Sequence, residues 1–189
     1  MRKAAARVLG MLMSAGLTGG CAVAHDGTEL KTIFEQGLAE YDAGHYEVAF
    51  KLFQSIDDED VAAMRNEGVM LRKGQGVAKD PKAAEEMLLR ASEAGLPTAQ
   101  FDLAEMLLDG EAGEPDPKSA LPWLTSAAAA HHPLAEYRLG VLYEEGTLVE
   151  KNLGFARTLY AEAAASGVAD AKARLDKLGP APTVPAGSP

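Results

Sequence analysis

The stretch RKGQGVAKDPKAAEEML, residues 72–88, carries two glycines, a lysine and a helix-forming run. Those are the ingredients of a phosphate-binding loop, but their spacing is wrong for one. A nucleotide-binding P-loop needs G-x-x-x-x-G-K-[ST] after a strand, and a dinucleotide fingerprint needs G-x-G-x-x-G. Gly74-Gln75-Gly76 fits neither, Lys79 stands where the third glycine would be, and no strand pattern precedes it. The same residues read well as a turn between two helices. Gly74 stops the first helix, Asp80 caps the second, and Pro81 opens it where its missing N–H does no harm. A structural turn can recur, and this one does, as LDGEAGEPDPKSALPWL (108–124) and EEGTLVEKNLGFARTLY (144–160).

Those recurrences extend to whole windows of 36 residues, 61–96, 97–132 and 133–168, which align without a gap, and a partial copy follows at 169–178. Ala63, Ala99, Ala135 and Ala171 share one column, Ala84, Ala120 and Ala156 a second, and Ala91, Ala127 and Ala163 a third. Gly68, Ala104 and Gly140 share another. Small residues there let helix backbones approach closely. Leu71, Leu107 and Tyr143, and likewise Met87, Trp123 and Leu159, are the large residues that fill the space between them. Apolar steps of three and four indicate helices. Gly74, Gly110 and Gly146 end the first helix of each copy, and Asp80, Asp116 and Asn152 cap the second. Each window is therefore an αα-hairpin, which buries its apolar face only by stacking on neighbours.

Upstream, residues 25–60 hold a different hairpin. Its Gly37, Gly44, Tyr46, Ala49 and Phe53 follow the tetratricopeptide pattern of small and aromatic positions. DDED, residues 57–60, reads as a solvated linker that places negative charge at the next helix N-terminus. Lys172, Arg174 and Lys177 give the segment 169–178 the polar face of a capping helix, and the Pro/Gly-rich tail 179–189 is expected to be disordered. The expected fold is all-α: a solenoid of about four hairpins plus a capping helix.

Residues 1–24 read as a targeting segment, with Arg2, Lys3 and Arg7 ahead of a short apolar run, Val8 to Leu17. Two exits are open: cleavage after Ala24, with residues 1–24 as signal peptide, or lipidation at Cys21 after a lipobox-like LTGGC, with 1–20 removed. Either predicts export, to the periplasm or to an outer-membrane lipid anchor. Cys21 is the sole cysteine, so the mature chain is expected to have neither a free thiol nor an internal disulfide. The net charge is −10, and removing residues 1–24 takes away three basic side chains and no acidic one, leaving −13. Such a surface repels phosphate backbones and anionic head groups, so nucleic acid is not an expected partner and any membrane contact would run through a lipid anchor.

No catalytic constellation emerges. No serine has G-x-S-x-G or S-x-x-K spacing, and His25, His45, His131 and His132 lack H-x-x-x-H spacing. His131 and His132 are expected to meet the last carbonyls of a helix. Asp109, Glu111, Glu114 and Asp116 crowd one loop without the ordered calcium-loop pattern. No metal site, no cofactor and no catalytic residue are expected, and Trp123 is expected to be packing.

The 36-residue period, LGVLYEEG (139–146), KGQGVAKDPKAAEEML (73–88) and the AAASG helix end resemble the Sel-one-like repeat family of the tetratricopeptide-like superfamily, over Val61 to Leu178. That resemblance implies a right-handed superhelix whose concave face is lined by the first helix of each pair. It also implies a non-enzymatic adaptor or regulator that binds a protein or peptide, and a monomer is expected. The groove positions carried over are Lys31, Phe34, Tyr41, Arg65, Arg72, Phe101, Glu105, Tyr137 and Glu144. The alternative is an envelope protein that acts weakly on peptidoglycan or β-lactams through convergent carboxylates such as Glu105 and Glu144. A cysteine-rich branch of the family has been linked to β-lactam binding, but this chain lacks its cysteines. Glu67 also departs from the pattern, standing where the other copies have Leu103 and Leu139.

Overall fold

The computed structural model describes residues 25–179. The targeting segment, Cys21 and the tail beyond Gly179 lie outside the described residues. Within them the chain forms nine helices and no strand. They are α1 (Gly27–Asp42), α2 (Tyr46–Gln54), α3 (Val61–Lys73), α4 (Pro81–Glu93), α5 (Pro97–Asp109), α6 (Pro117–Ala129), α7 (Pro133–Glu145), α8 (Leu153–Ala165) and α9 (Ala169–Leu178). Packing runs chiefly from each helix to its neighbours in sequence, as in an α-solenoid.

The local signals act as their chemistry requires. Gly74, Gly110 and Gly146 adopt left-handed φ of 69°, 66° and 74° and close α3, α5 and α7. Asp80, Asp116 and Asn152 accept backbone N–H bonds at the starts of α4, α6 and α8. Their own backbone N–H groups reach back to one repeat column: Asp80 to the Leu71 carbonyl (3.0 Å), Asp116 to Leu107 (2.7 Å) and Asn152 to Tyr143 (2.9 Å). The loop of RKGQGVAKDPKAAEEML is thus closed by its caps at both ends, and its glycines serve chain geometry.

The three alanine columns form the spine of the solenoid. All ten alanines in them have no exposed surface. In the fourth column the small residue faces a large one. A Cβ on Gly140 would lie 2.7 Å from the Tyr160 ring, and one on Gly68 3.0 Å from Leu88, while Ala104 is accommodated in the cluster that holds Leu124. The N-terminal hairpin repeats the device, since a Cβ on Gly37 would lie 2.6 Å from the Phe53 ring.

Two expectations are corrected. DDED does place charge at the next helix N-terminus, where Asp60 caps α3, but it is not merely solvated: Asp57 and Asp58 meet Arg90 at 3.8 and 2.7 Å, and Glu59 meets His25 at 2.9 Å. The His131 and His132 backbone N–H groups meet the Ala128 and Ala127 carbonyls that end α6, at 2.9 and 3.0 Å, but their imidazoles do not. The His132 Nδ1 instead accepts the Ala135 N–H at the start of α7, and the His131 Nδ1 pairs with Glu136. Burial holds the His132 imidazole below its usual pKa, which suits an acceptor nitrogen. His131 is the one non-glycine among the described residues with positive φ (58°), in the column where Gly95 and Gly167 stand at 88° and 92°.

Candidate functional site: the first-helix face

The first helices α1, α3, α5 and α7 carry all nine groove positions, and the structure sorts them into three kinds. Phe34 and Tyr41 pack on the core of the N-terminal half, Phe34 against Phe53 at 5.7 Å and Tyr41 against Tyr46 at 5.1 Å. Lys31 is exposed beside Glu35 on its own helix. The remaining six form a connected face across the repeats.

That face is a ladder of ion pairs, each reaching from one repeat to the next. Arg65 of α3 meets Asp102 of α5 at 2.6 Å. Arg72, at the end of α3, holds Glu111 with two guanidinium nitrogens, through its Nε at 2.9 Å and also through Nη2. Glu105 of α5 receives Arg138 of α7 at 3.0 Å. Glu144 of α7 receives Arg174 of α9 at 2.8 Å and the Tyr160 hydroxyl at 2.6 Å. Between the rungs lie half-buried aromatics: Phe101 stacks on His132 at 4.8 Å, and Tyr137 stands 6.0 Å from Tyr160.

The electrostatics vary along the ladder. The Arg72 hydrogen bonds hold Glu111 below the ordinary carboxylate range, and the Tyr160 hydroxyl, followed by Arg174, does the same to Glu144. Glu105 goes the other way, because burial raises its pKa more than Arg138 lowers it. The two carboxylates that a hydrolase reading would need to converge, Glu105 and Glu144, are each engaged in a separate pair on a separate helix. Asp102, Glu111, Arg138 and Arg174, the partners of the ladder, were not singled out as groove residues. A signal existed: opposite charges recur 30 to 39 residues apart, close to the repeat period.

A row of αα-hairpins in 36-residue steps, with an ion-paired face on its first helices, defines a repeat solenoid of the scaffold class. The Sel1 repeat profile matches residues 61–96, 97–132 and 133–168, more than half of the chain. The chain therefore belongs to the Sel1 repeat family. Among solved structures it is similar to a Sel1 repeat protein from Oxalobacter formigenes, with 35% identity, a TM-score of 0.71, and coverage of 75% of this chain and 58% of that one. It is also similar to a protective antigen present in uropathogenic Escherichia coli strains and displaying an SLR fold, with 26% identity, a TM-score of 0.72, and coverage of 79% and 33%. A Sel1 repeat protein from Klebsiella pneumoniae shares the fold at 17% identity and a TM-score of 0.52, with coverage of 80% of this chain and 78% of that one. The chain spans less than two thirds of the first two relatives' lengths. No curated protein matches it. Sel1 repeats commonly mediate protein–protein interaction and are generally non-catalytic scaffolds.

Proposed function

We propose that this protein is a non-enzymatic adaptor of the bacterial envelope that docks a protein segment along the face made by α3, α5 and α7. The observation that carries this reading is the ladder itself. It holds charges of both signs beside the half-buried rings of Phe101 and Tyr137. Such a surface offers a peptide both anchors and polar partners without first having to order them. Pairing fixes the side chains in place, and a ligand carboxylate or amine can replace one member of a rung at modest cost because the pairs are partly solvated.

Export is part of the proposal. It rests on the basic and apolar character of residues 1–24, and mass spectrometry of the native N-terminus distinguishes release after Ala24 from lipidation at Cys21. The docking face is tested by placing a photo-crosslinking amino acid at Phe101 or Tyr137, and at the exposed Phe155 on α8 as reference. Crosslinks to one discrete partner from positions 101 and 137, with the position-101 crosslink lost in an Arg65→Ala/Arg72→Ala/Tyr137→Ala chain that still folds, support the assignment. Equal crosslinking from position 155, or equal capture by the triple variant, overturns it.

A further inference from the structure

Each junction between repeats presents the same three positions: the second residue after the second helix, the fourth residue of the next first helix, and a residue late in the following second helix. At the junction between the first two 36-residue copies these are Gly95, Gln100 and Ser126. The buried Gln100 satisfies itself by donating from its amide to the Ser92 carbonyl at 3.2 Å. One repeat later the same positions are His131, Glu136 and Glu162. One ligand atom from each, the imidazole nitrogen and two carboxylate oxygens, all lie within 4.8 Å of one another. His131 Nδ1 is already 3.1 Å from a Glu136 oxygen.

Glu136 is the informative residue. It is 1% exposed, and its second carboxylate oxygen is buried with no hydrogen-bond partner among the described residues. An unpartnered buried carboxylate oxygen is expensive, and one that persists is explained by a proton, a water or an ion. No lysine or arginine among the described residues pairs with it. Its neighbours are a histidine and a second carboxylate, and both side chains are exposed enough to adjust. His131 also occupies a left-handed backbone conformation that its column otherwise gives to glycine.

We propose that His131, Glu136 and Glu162 bind a first-row divalent transition cation such as Zn2+. One imidazole and two carboxylates form a donor set suited to such ions. Ligand atoms around a tetrahedral zinc stand about 3.3 Å apart at its usual bond lengths of roughly 2.0–2.2 Å. The edge from His131 Nδ1 to Glu136 Oε1 already meets that spacing, a rotamer change of the exposed Glu162 closes the third corner, and the orphaned Oε2 is satisfied where Glu136 binds through both oxygens. A water completes the sphere. The ion would bridge the end of α6, the first turn of α7 and the late part of α8, and so stiffen one joint of the solenoid. The equivalent joint between the first two copies has no such ligands and serves as an internal control.

The test uses the full chain without an affinity tag, stripped with a chelator and titrated with Zn2+ by calorimetry, with Co2+ absorption as a second reading. The key variant, His131→Gly/Glu136→Gln/Glu162→Ser, converts this junction into the one the protein already builds between its first two copies. Glu162→Ser alone changes only an exposed side chain and protects the test should the triple variant not fold. Expected are one Zn2+ per wild-type chain, a zinc-dependent rise in melting temperature, and a Co2+ visible band. Glu162→Ser should bind at least about tenfold more weakly and the triple variant not at all. Zinc binding by the wild type that either folded variant reproduces would overturn the site. Equal stabilisation by Ca2+ would overturn the assignment to a transition cation.

Discussion

Two kinds of seam hold this chain together. Between the 36-residue copies the seam is repetitive: the same buried alanines approach, and each first helix extends a charge to the next. Between the N-terminal hairpin and residues 61–96 it is made of single events. A Cβ on Gly76 (φ +72°) would overlap the Tyr46 backbone carbonyl at the start of α2. The Tyr41 hydroxyl donates to Gln75 at 2.9 Å, Gln54 reaches the buried Glu67 at 3.4 Å, and Arg90 ties back to Asp58. A seam between unlike units has no repeating column to rely on, so each contact there is specific and each substitution should be felt more.

The largest expected effect breaks that seam. Gly76→Ala meets both a left-handed backbone and a backbone overlap, and should cost about 3 kcal/mol or more. The same column holds Ala112 and Leu148, neither at positive φ. Ala112→Gly should therefore change stability by less than about 1 kcal/mol. Urea unfolding of both variants decides the matter, and equal effects would show that the first seam is not special.

Next is Glu67→Leu, which gives the first copy the residue found at Leu103 and Leu139. Burial pushes the Glu67 carboxyl up to about 7, with the Asp57 charge adding to the shift. The native state therefore binds a proton that the unfolded chain, near 4.5, has released. This contribution is fully present below pH 4.5 and is lost as pH rises through about 7. Above that, the carboxylate costs up to about 3 kcal/mol, at about 1.4 kcal/mol per pKa unit. The leucine variant should thus be more stable than wild type at pH 8 and nearly equal to it at pH 5. Chemical denaturation at the two pH values measures the difference, and a pH-independent gain would place the effect in packing instead.

Gly140→Ala acts inside one copy, at the contact its two helices repeat in every copy, and should cost about 2 kcal/mol through overlap with the Tyr160 ring. The comparison sharpens in the background Tyr160→Leu, which copies the Leu124 that faces Ala104. There the alanine should be tolerated, giving a coupling of about 1 kcal/mol or more in a double-mutant cycle. Additive losses would sink the idea that each small residue is matched to its large partner.

These contrasts also explain what was legible in the sequence. Alanine columns, left-handed glycines and capping residues recur every 36 residues, so each is printed several times and its chemistry is local. The ladder was half legible. Arg65, Arg72, Glu105 and Glu144 were singled out as ligand positions, but their partners lie about a full repeat away, and pairing across that distance depends on helix placement. Residues that break a column were the hardest to interpret. Glu67 and Glu136 show their burial, and His131 its partner, only once the neighbouring hairpins are stacked. DDED looked solvated because nothing local announces Arg90, 32 residues on.

The smallest expected effect bears on why the ladder exists. Arg138→Gln removes one rung, whose arginine is 39% and glutamate 23% exposed. Partly solvated pairs of this kind contribute about 0–1 kcal/mol, so the loss should be about 0.5 kcal/mol and shrink in high salt. Its pH dependence has a fixed sign. Without Arg138 the half-buried Glu105 carboxyl rises further above its ordinary value, so the deficit should grow as pH increases from 5 to 8. Thermal melts at the two pH values and two salt concentrations measure it. A loss of several kcal/mol would make the rung a structural brace. A loss within about 1 kcal/mol, accompanied by a clear drop in crosslinking from position 101, would mean that the rungs add little to the fold and serve to hold the first-helix face in a shape that a partner can use.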